Sequence, residues 1–142
     1  MTDKPLPLYG FSDSSFQAAG GLAGIRQLVD DFYRMMDELP EAQIIRAMHK
    51  PDLTESRDKL TLFLCGWMGG PKLYHEKYGT INIPRDHAHL PIGEQERDAW
   101  LLCMERALAL QDYRPEFKSY LLQQLRIPAE RIFAVSNKPP TL

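Results

Sequence analysis

Residues 25–36 read IRQLVDDFYRMM, and apolar or aromatic side chains recur there at offsets of 0, 3, 4, 7, 8 and 11. Because an α-helix completes a turn every 3.6 residues, this spacing puts all six side chains on one helix face. They are Ile25, Leu28, Val29, Phe32, Tyr33 and Met36. The stretch predicts a long helix with one buried face, which Leu39-Pro40 ends.

The same spacing recurs in the middle of the chain. A short helix from Glu41 to Met48, with Pro40 at its start, precedes the next long one. We expect Thr54 to cap that long helix and Gly69-Gly70-Pro71 to end it. Its apolar stripe consists of Leu60, Phe63, Leu64, Trp67 and Met68.

The C-terminal half predicts further helices. One begins near Gly93, with acidic residues at its positive end, and another opens at Arg114-Pro115-Glu116. Pro128 is expected to restart a last short helix that reaches Val135. The sequence contains no useful β-alternation and no internal repeat, so the predicted fold class is all-α, a bundle of five or more helices. Residues 1–12 are interpreted as an extended lead-in, and residues 13–142 as a single domain.

Composition narrows the function classes. The chain has 142 residues, 17 basic and 19 acidic, with a net charge of −2. No Lys/Arg run supports nucleic-acid binding, and no apolar stretch is long enough for a signal peptide or a membrane span. We therefore expect a cytoplasmic protein with no nucleic-acid or membrane partner. Cys65 and Cys103 lie among apolar residues, so we expect buried thiols rather than a disulfide.

The polar residues do not assemble a familiar catalytic motif. His87 and His89 are only two residues apart, no Cys or HExxH pattern completes a zinc set, and no nucleophile elbow is present. What stands out is that Tyr33, His49 and Trp100 fall on faces expected to point inward. Such residues either anchor a core through one polar atom or line a cofactor pocket, and composition leaves both interpretations open.

Several motifs together resemble the second group of truncated haemoglobins. They are Gly20-Gly21, Phe32-Tyr33, Gly69-Gly70-Pro71, ERDAWL at 96–101 with Cys103-Met104, and a histidine, His87, thirteen residues before Trp100. The resemblance covers about residues 16–135. It implies a globin-like two-over-two helical sandwich around haem b (iron protoporphyrin IX). It also implies that His87 is the proximal metal ligand on a very short helix.

The resemblance also implies roles on the other side of the haem. Tyr33 and Trp100 correspond to the donors that face the bound ligand, and His49 to the aromatic or histidine at the haem edge. Ser56 takes the place of the histidine of vertebrate globins, and Lys59 is the candidate partner of a propionate, since Asp86 stands where the family often has arginine. Leu60, Phe63 and Leu64 correspond to the residues that pack on the haem. We expect Trp67, Tyr74 and Tyr78 to fill the core instead.

The predicted function is reversible binding of dioxygen and other diatomic ligands at haem iron. Two donors to a partly negative ligand slow its release, which makes steady oxygen transport less attractive. One alternative is an enzyme, a nitric oxide dioxygenase or peroxidase with an unidentified reductase. Another is a cofactor-free helical interaction module in which Tyr33, His49 and Trp100 are core or interface residues.

Overall fold

The computed structural model describes residues 9–80 and 90–136. In these two ranges every regular element is helical, which confirms the predicted all-α class. The helices are α1 (Ser14–Ala18), α2 (Gly21–Glu38), α3 (Gln43–Ala47), α4 (Thr54–Trp67), α5 (Leu73–Tyr78), α6 (Glu94–Ala109) and α7 (Pro115–Ser136), with a 3₁₀ helix at Pro40–Ala42. No helix in the described ranges is long and apolar enough to cross a membrane.

Helix α2 forms the centre of the bundle. Its predicted stripe is buried, from Ile25 with no exposed surface to Tyr33 at 5%. The helix ends where Leu39 adopts an extended conformation before Pro40, because the residue preceding a proline avoids helical geometry. α2 packs against both α4 and α6, and α6 packs against α7. The pairs α2–α4 and α6–α7 therefore form two layers joined through α2 and α6.

The apolar core lies between these layers. Leu64 and Cys65 of α4 and Cys103 and Met104 of α6 have no exposed surface. Both cysteines are free thiols, and burial raises the pKa of each of them, for Cys103 to about 11. The thiols are therefore protonated at neutral pH and pack as small apolar groups.

The start of α4 differs from the prediction. Thr54 is the first residue of the helix rather than its cap. Its N–H and its hydroxyl both donate to Asp52 Oδ1, at 2.9 and 2.7 Å. The N-cap position is occupied by Leu53, whose side chain cannot accept a hydrogen bond, and Asp52 accepts the first helical N–H from one residue further out.

The prediction of a separate last helix starting at Pro128 was wrong. Helix α7 runs without interruption from Pro115 to Ser136, with Pro128 inside it. Leu121, Leu125 and Ala129 are spaced four residues apart and are all buried, so one apolar face continues past the proline. Packing of that face outweighs the backbone hydrogen bond that a proline cannot donate.

The prediction that Trp67 fills the core was also wrong, because 37% of its surface is exposed. It is the last residue of α4, and its ring stacks on Phe63 with centroids 6.3 Å apart.

At the other end of the described chain, Tyr9 packs its ring against Phe117 and Tyr120 of α7, at 4.9 and 5.2 Å. The last residues of the lead-in thus contact the bundle.

Candidate functional site

Tyr33 is a buried phenol in the middle of α2. Its hydroxyl donates to the backbone carbonyl of Ser56 on α4 at 3.5 Å, a long distance for an O–H···O bond. Burial raises the pKa of Tyr33 well above its ordinary value of 10.0. The hydroxyl therefore stays protonated and can donate a hydrogen bond throughout the physiological pH range.

His49 lies just after α3, and the structure brings it beside Tyr33, with ring centroids 5.7 Å apart in an edge-on arrangement. Its Nδ1 lies 2.8 Å from the carbonyl oxygen of Ile45. Because a carbonyl only accepts hydrogen bonds, Nδ1 carries the proton in the neutral ring, and Nε2 carries the lone pair. The backbone of α3 thus fixes the tautomer of this histidine.

Trp100 reaches the same region from α6. Its half-buried ring lies 5.2 Å from Phe32, which in turn packs edge-on against Tyr33 at 5.0 Å. A continuous series of aromatic contacts therefore runs from Trp100 through Phe32 and Tyr33 to His49. In the part of the chain that the structure describes, the indole N–H of Trp100 has no hydrogen-bond acceptor.

Helix α4 supplies the apolar wall next to these residues. Leu60 and Phe63 are half-buried and pack against the core, whereas Leu64 is fully buried within it. Lys59 lies beside them, with Nζ 2.9 Å from Glu55 Oε1 and 5.2 Å from the centroid of the Tyr78 ring. The structure thus places Lys59 on the outer edge of the wall, next to the end of α5. His87 lies outside the described residues.

A charged depression of about 670 Å³ lies between the outer surfaces of α2 and α4. Four basic and four acidic side chains line it, among them Arg26, Asp30 and Arg57. Sequence reasoning missed Arg57, since an arginine at the start of an amphipathic helix resembles any solvated surface charge. It follows Ser56 directly, which was the only available signal.

The described part of the site fits haem. A porphyrin needs an apolar wall, and Leu60 and Phe63 present partly exposed apolar surface that is unusual for a helix face directed toward a core. Tyr33 of α2 and Trp100 of α6 bring a hydroxyl and an indole N–H to the same region, and both groups can donate hydrogen bonds.

Comparison with known proteins assigns the family. Residues 14–133 match the bacterial-like globin family. The chain is 32% identical over 108 residues to the group 2 truncated hemoglobin YjbI of Bacillus subtilis (strain 168), and the match covers 76% of this chain and 80% of that protein. The chain belongs to the group II truncated haemoglobins.

Solved structures agree with this assignment. The group II 2-on-2 hemoglobin from Agrobacterium tumefaciens is 35% identical, with a TM-score of 0.79 over 93% of this chain and 97% of the other. The truncated oxygen-avid haemoglobin from Bacillus subtilis is 31% identical, with a TM-score of 0.76 over 83% and 97%. This truncated haemoglobin therefore has the two-over-two helical fold, and membership of the globin family makes it a protein that binds haem and oxygen. The alternative of a cofactor-free interaction module is not supported.

Proposed function

We propose that this truncated haemoglobin holds haem b with His87 as the axial ligand and binds dioxygen reversibly on the side of Tyr33 and Trp100. The observation that supports the proposal most strongly is the series of contacts from Trp100 through Phe32 and Tyr33 to His49. It gathers the polar aromatic residues of three separate segments next to one apolar wall. Haem iron supplies the reversible coordination of a diatomic ligand when it is bound.

Tyr33 and Trp100 act as hydrogen-bond donors to that ligand. The bond from the Tyr33 hydroxyl to the Ser56 carbonyl is long at 3.5 Å, so redirecting the hydroxyl toward a ligand costs little. The indole N–H of Trp100 has no hydrogen-bond partner among the described residues, so it can donate to a ligand without breaking such a bond. To a partly negative ligand, each of these two donors would contribute about 1.5–3 kcal/mol.

His49 tunes the same side through its second nitrogen. With Nδ1–H held by the Ile45 carbonyl, Nε2 is the acceptor of the neutral ring. It can accept a hydrogen bond from the Tyr33 hydroxyl or from a water, and so set the direction in which that hydroxyl points. We assign Lys59, at the outer edge of the wall, to a propionate of the haem. In this role Lys59 would replace its ion pair with Glu55 by one with the propionate carboxylate.

Tight binding suits retention of oxygen better than its steady transport. A relative from Bacillus subtilis is described as oxygen-avid, which is the behaviour that two donors produce. Repeated redox use of such a site needs an external reductase. We place this truncated haemoglobin in the cytoplasm, since Cys65 and Cys103 are free thiols.

The rate of oxygen release tests the two donors. In stopped-flow measurements on the reduced, oxygenated protein, Tyr33→Phe and Trp100→Phe should each release oxygen about ten- to a hundredfold faster, the equivalent of one hydrogen bond to a charged group. Tyr120→Phe, which alters a tyrosine packed on Tyr9, is the matched control and should release oxygen at the parent rate. Unchanged rates in both pocket variants would overturn the assignment of these donors.

A further inference from the structure

The proposed function assigns no role to Arg57. It follows Ser56 on α4 at the edge of the charged depression, and 43% of its side chain is exposed. Its Nε, by contrast, is buried and has no hydrogen-bond acceptor in the described structure. A buried donor on a charged group is costly to leave unpaired, so its position calls for a physical reason.

Ion pairing does not supply that reason. The nearest carboxylate in an ion pair with Arg57 is that of Asp30, whose Oδ1 lies 4.0 Å from Nε, beyond hydrogen-bond range. Both side chains are roughly half exposed, and pairs of this kind contribute little to stability. Glu55 and Asp58, the neighbouring carboxylates of the depression, have closer partners in Lys59 and Lys77, at 2.9 and 2.7 Å.

We propose that Arg57, which lies between the Ser56 contact of Tyr33 and Asp30 of α2, is a positioning residue of the ligand side and that its positive charge strengthens the Tyr33 hydroxyl as a donor. The inference rests on the proposed function, because the hydroxyl must have a ligand to donate to. Arg57 follows the residue whose carbonyl accepts the Tyr33 hydroxyl, and its Nε lies 4.0 Å from Asp30 Oδ1 on α2, about one turn before Tyr33. A nearby cation favours partial negative charge on the phenol oxygen, and a more acidic hydroxyl donates a stronger hydrogen bond.

The electrostatics of Tyr33 agree with this geometry. Burial is the larger influence and raises the pKa of Tyr33, whereas the positive charge of Arg57 acts in the opposite direction and lowers it. The pKa of Asp52 is lowered mainly by its hydrogen bonds with Thr54 and, to a smaller extent, by the charge of Arg57. Arg57 therefore acts electrostatically on the phenol while its exposed end remains in solvent.

The test is oxygen release from the haem-loaded protein in two backgrounds. Arg57→Gln should release oxygen about two- to fivefold faster than the parent, the range expected for one partly screened charge. Arg57→Lys, which keeps the charge, should restore most of the difference. In a Tyr33→Phe background, Arg57→Gln should have no effect on oxygen release, because the hydroxyl through which Arg57 acts is gone. Arg26→Gln removes an equal charge from the same depression and should match the parent.

Two further readouts separate this role from a structural one. A positive potential lowers the stretching frequency of carbon monoxide bound to the reduced protein, so Arg57→Gln should shift this band to higher frequency. The urea midpoint of Arg57→Gln should stay near that of the parent. A coloured protein in which Arg57→Gln leaves both release and the band unchanged would overturn the inference alone. So would an equal effect in the Tyr33→Phe background. A colourless parent would overturn the proposed function and this inference with it.

Discussion

At the scale of single residues, Asp58 joins two helices through one carboxylate oxygen. Its Oδ2 accepts hydrogen bonds from Lys77 Nζ at 2.7 Å and from the Tyr78 hydroxyl at 2.6 Å. These bonds hold the pKa of Asp58 below its ordinary value of 3.8, mainly through Lys77 and then Tyr78. Asp58 therefore ties the end of α5 to α4, immediately before the segment that contains His87.

The pH dependence of stability follows from the direction of that shift. Because the pKa of Asp58 is lower in the folded state than in the unfolded state, its contribution is complete above 3.8 and is lost as the pH falls through the lower, folded value. Asp58→Asn should therefore lower the urea midpoint at neutral pH and remove part of the decline below 3.8. Asp112→Asn, at an exposed position, is the control. Parallel pH profiles for Asp58→Asn and the parent would contradict this account.

At the scale of elements, the turn after α4 depends on a glycine. Gly69 has a φ of +92°, and a Cβ at this position would overlap the carbonyl oxygen of Ser12. The preceding carbonyl, that of Met68, accepts the N–H of Phe16 at 3.1 Å. The absence of a side chain thus lets the N-terminal segment lie directly on the end of α4.

Replacing this glycine should be costly. Gly69→Ala combines a left-handed backbone with a steric overlap and should lower the free energy of unfolding by about 1–3 kcal/mol. Gly66→Ala, one turn earlier inside α4, is the matched control. A Cβ there meets its nearest neighbour, Lys72 Cα, at an ordinary 3.5 Å, so this change should be neutral or stabilising by up to about 1 kcal/mol. Equal midpoints for the two variants in urea titrations would show that the Gly69 turn is not constrained.

The sequence predicts the helices better than their ends. A stripe such as Ile25 to Met36 repeats over three turns, and burial of that stripe is a strong signal. An end is decided by one or two local bonds. Asp52 accepts the N–H and the hydroxyl of Thr54, which makes Thr54 the first helical residue, and the packing of Leu121 and Ala129 outweighs the stop signal of Pro128. Such competition depends on tertiary contacts, which a local pattern does not contain.

At the scale of the whole molecule, the sequence could place those site residues that lie on the apolar faces of clearly predicted helices. Tyr33 and Trp100 lie on two predicted apolar stripes, and the roles we propose for them come from the resemblance that the surrounding motifs carry. Contacts between segments were not predictable. Gln111, for example, donates to the buried carboxylate of Asp31 at 2.7 Å across 80 residues of sequence. Such bonds depend on how the segments pack, and so does the approach of Arg57 on α4 to Asp30 on α2.

The absorption spectrum of the protein expressed with a supply of haem, ferric and then dithionite-reduced, tests the central claim most directly. It should be recorded beside His87→Gly and beside His75→Gly, which alters an exposed histidine of α5. We predict a strong Soret band and a five-coordinate ferrous spectrum in the parent and in His75→Gly. In His87→Gly the band should be lost or shifted, and added imidazole should restore it. A colourless parent, or an unchanged band in His87→Gly, would contradict the account.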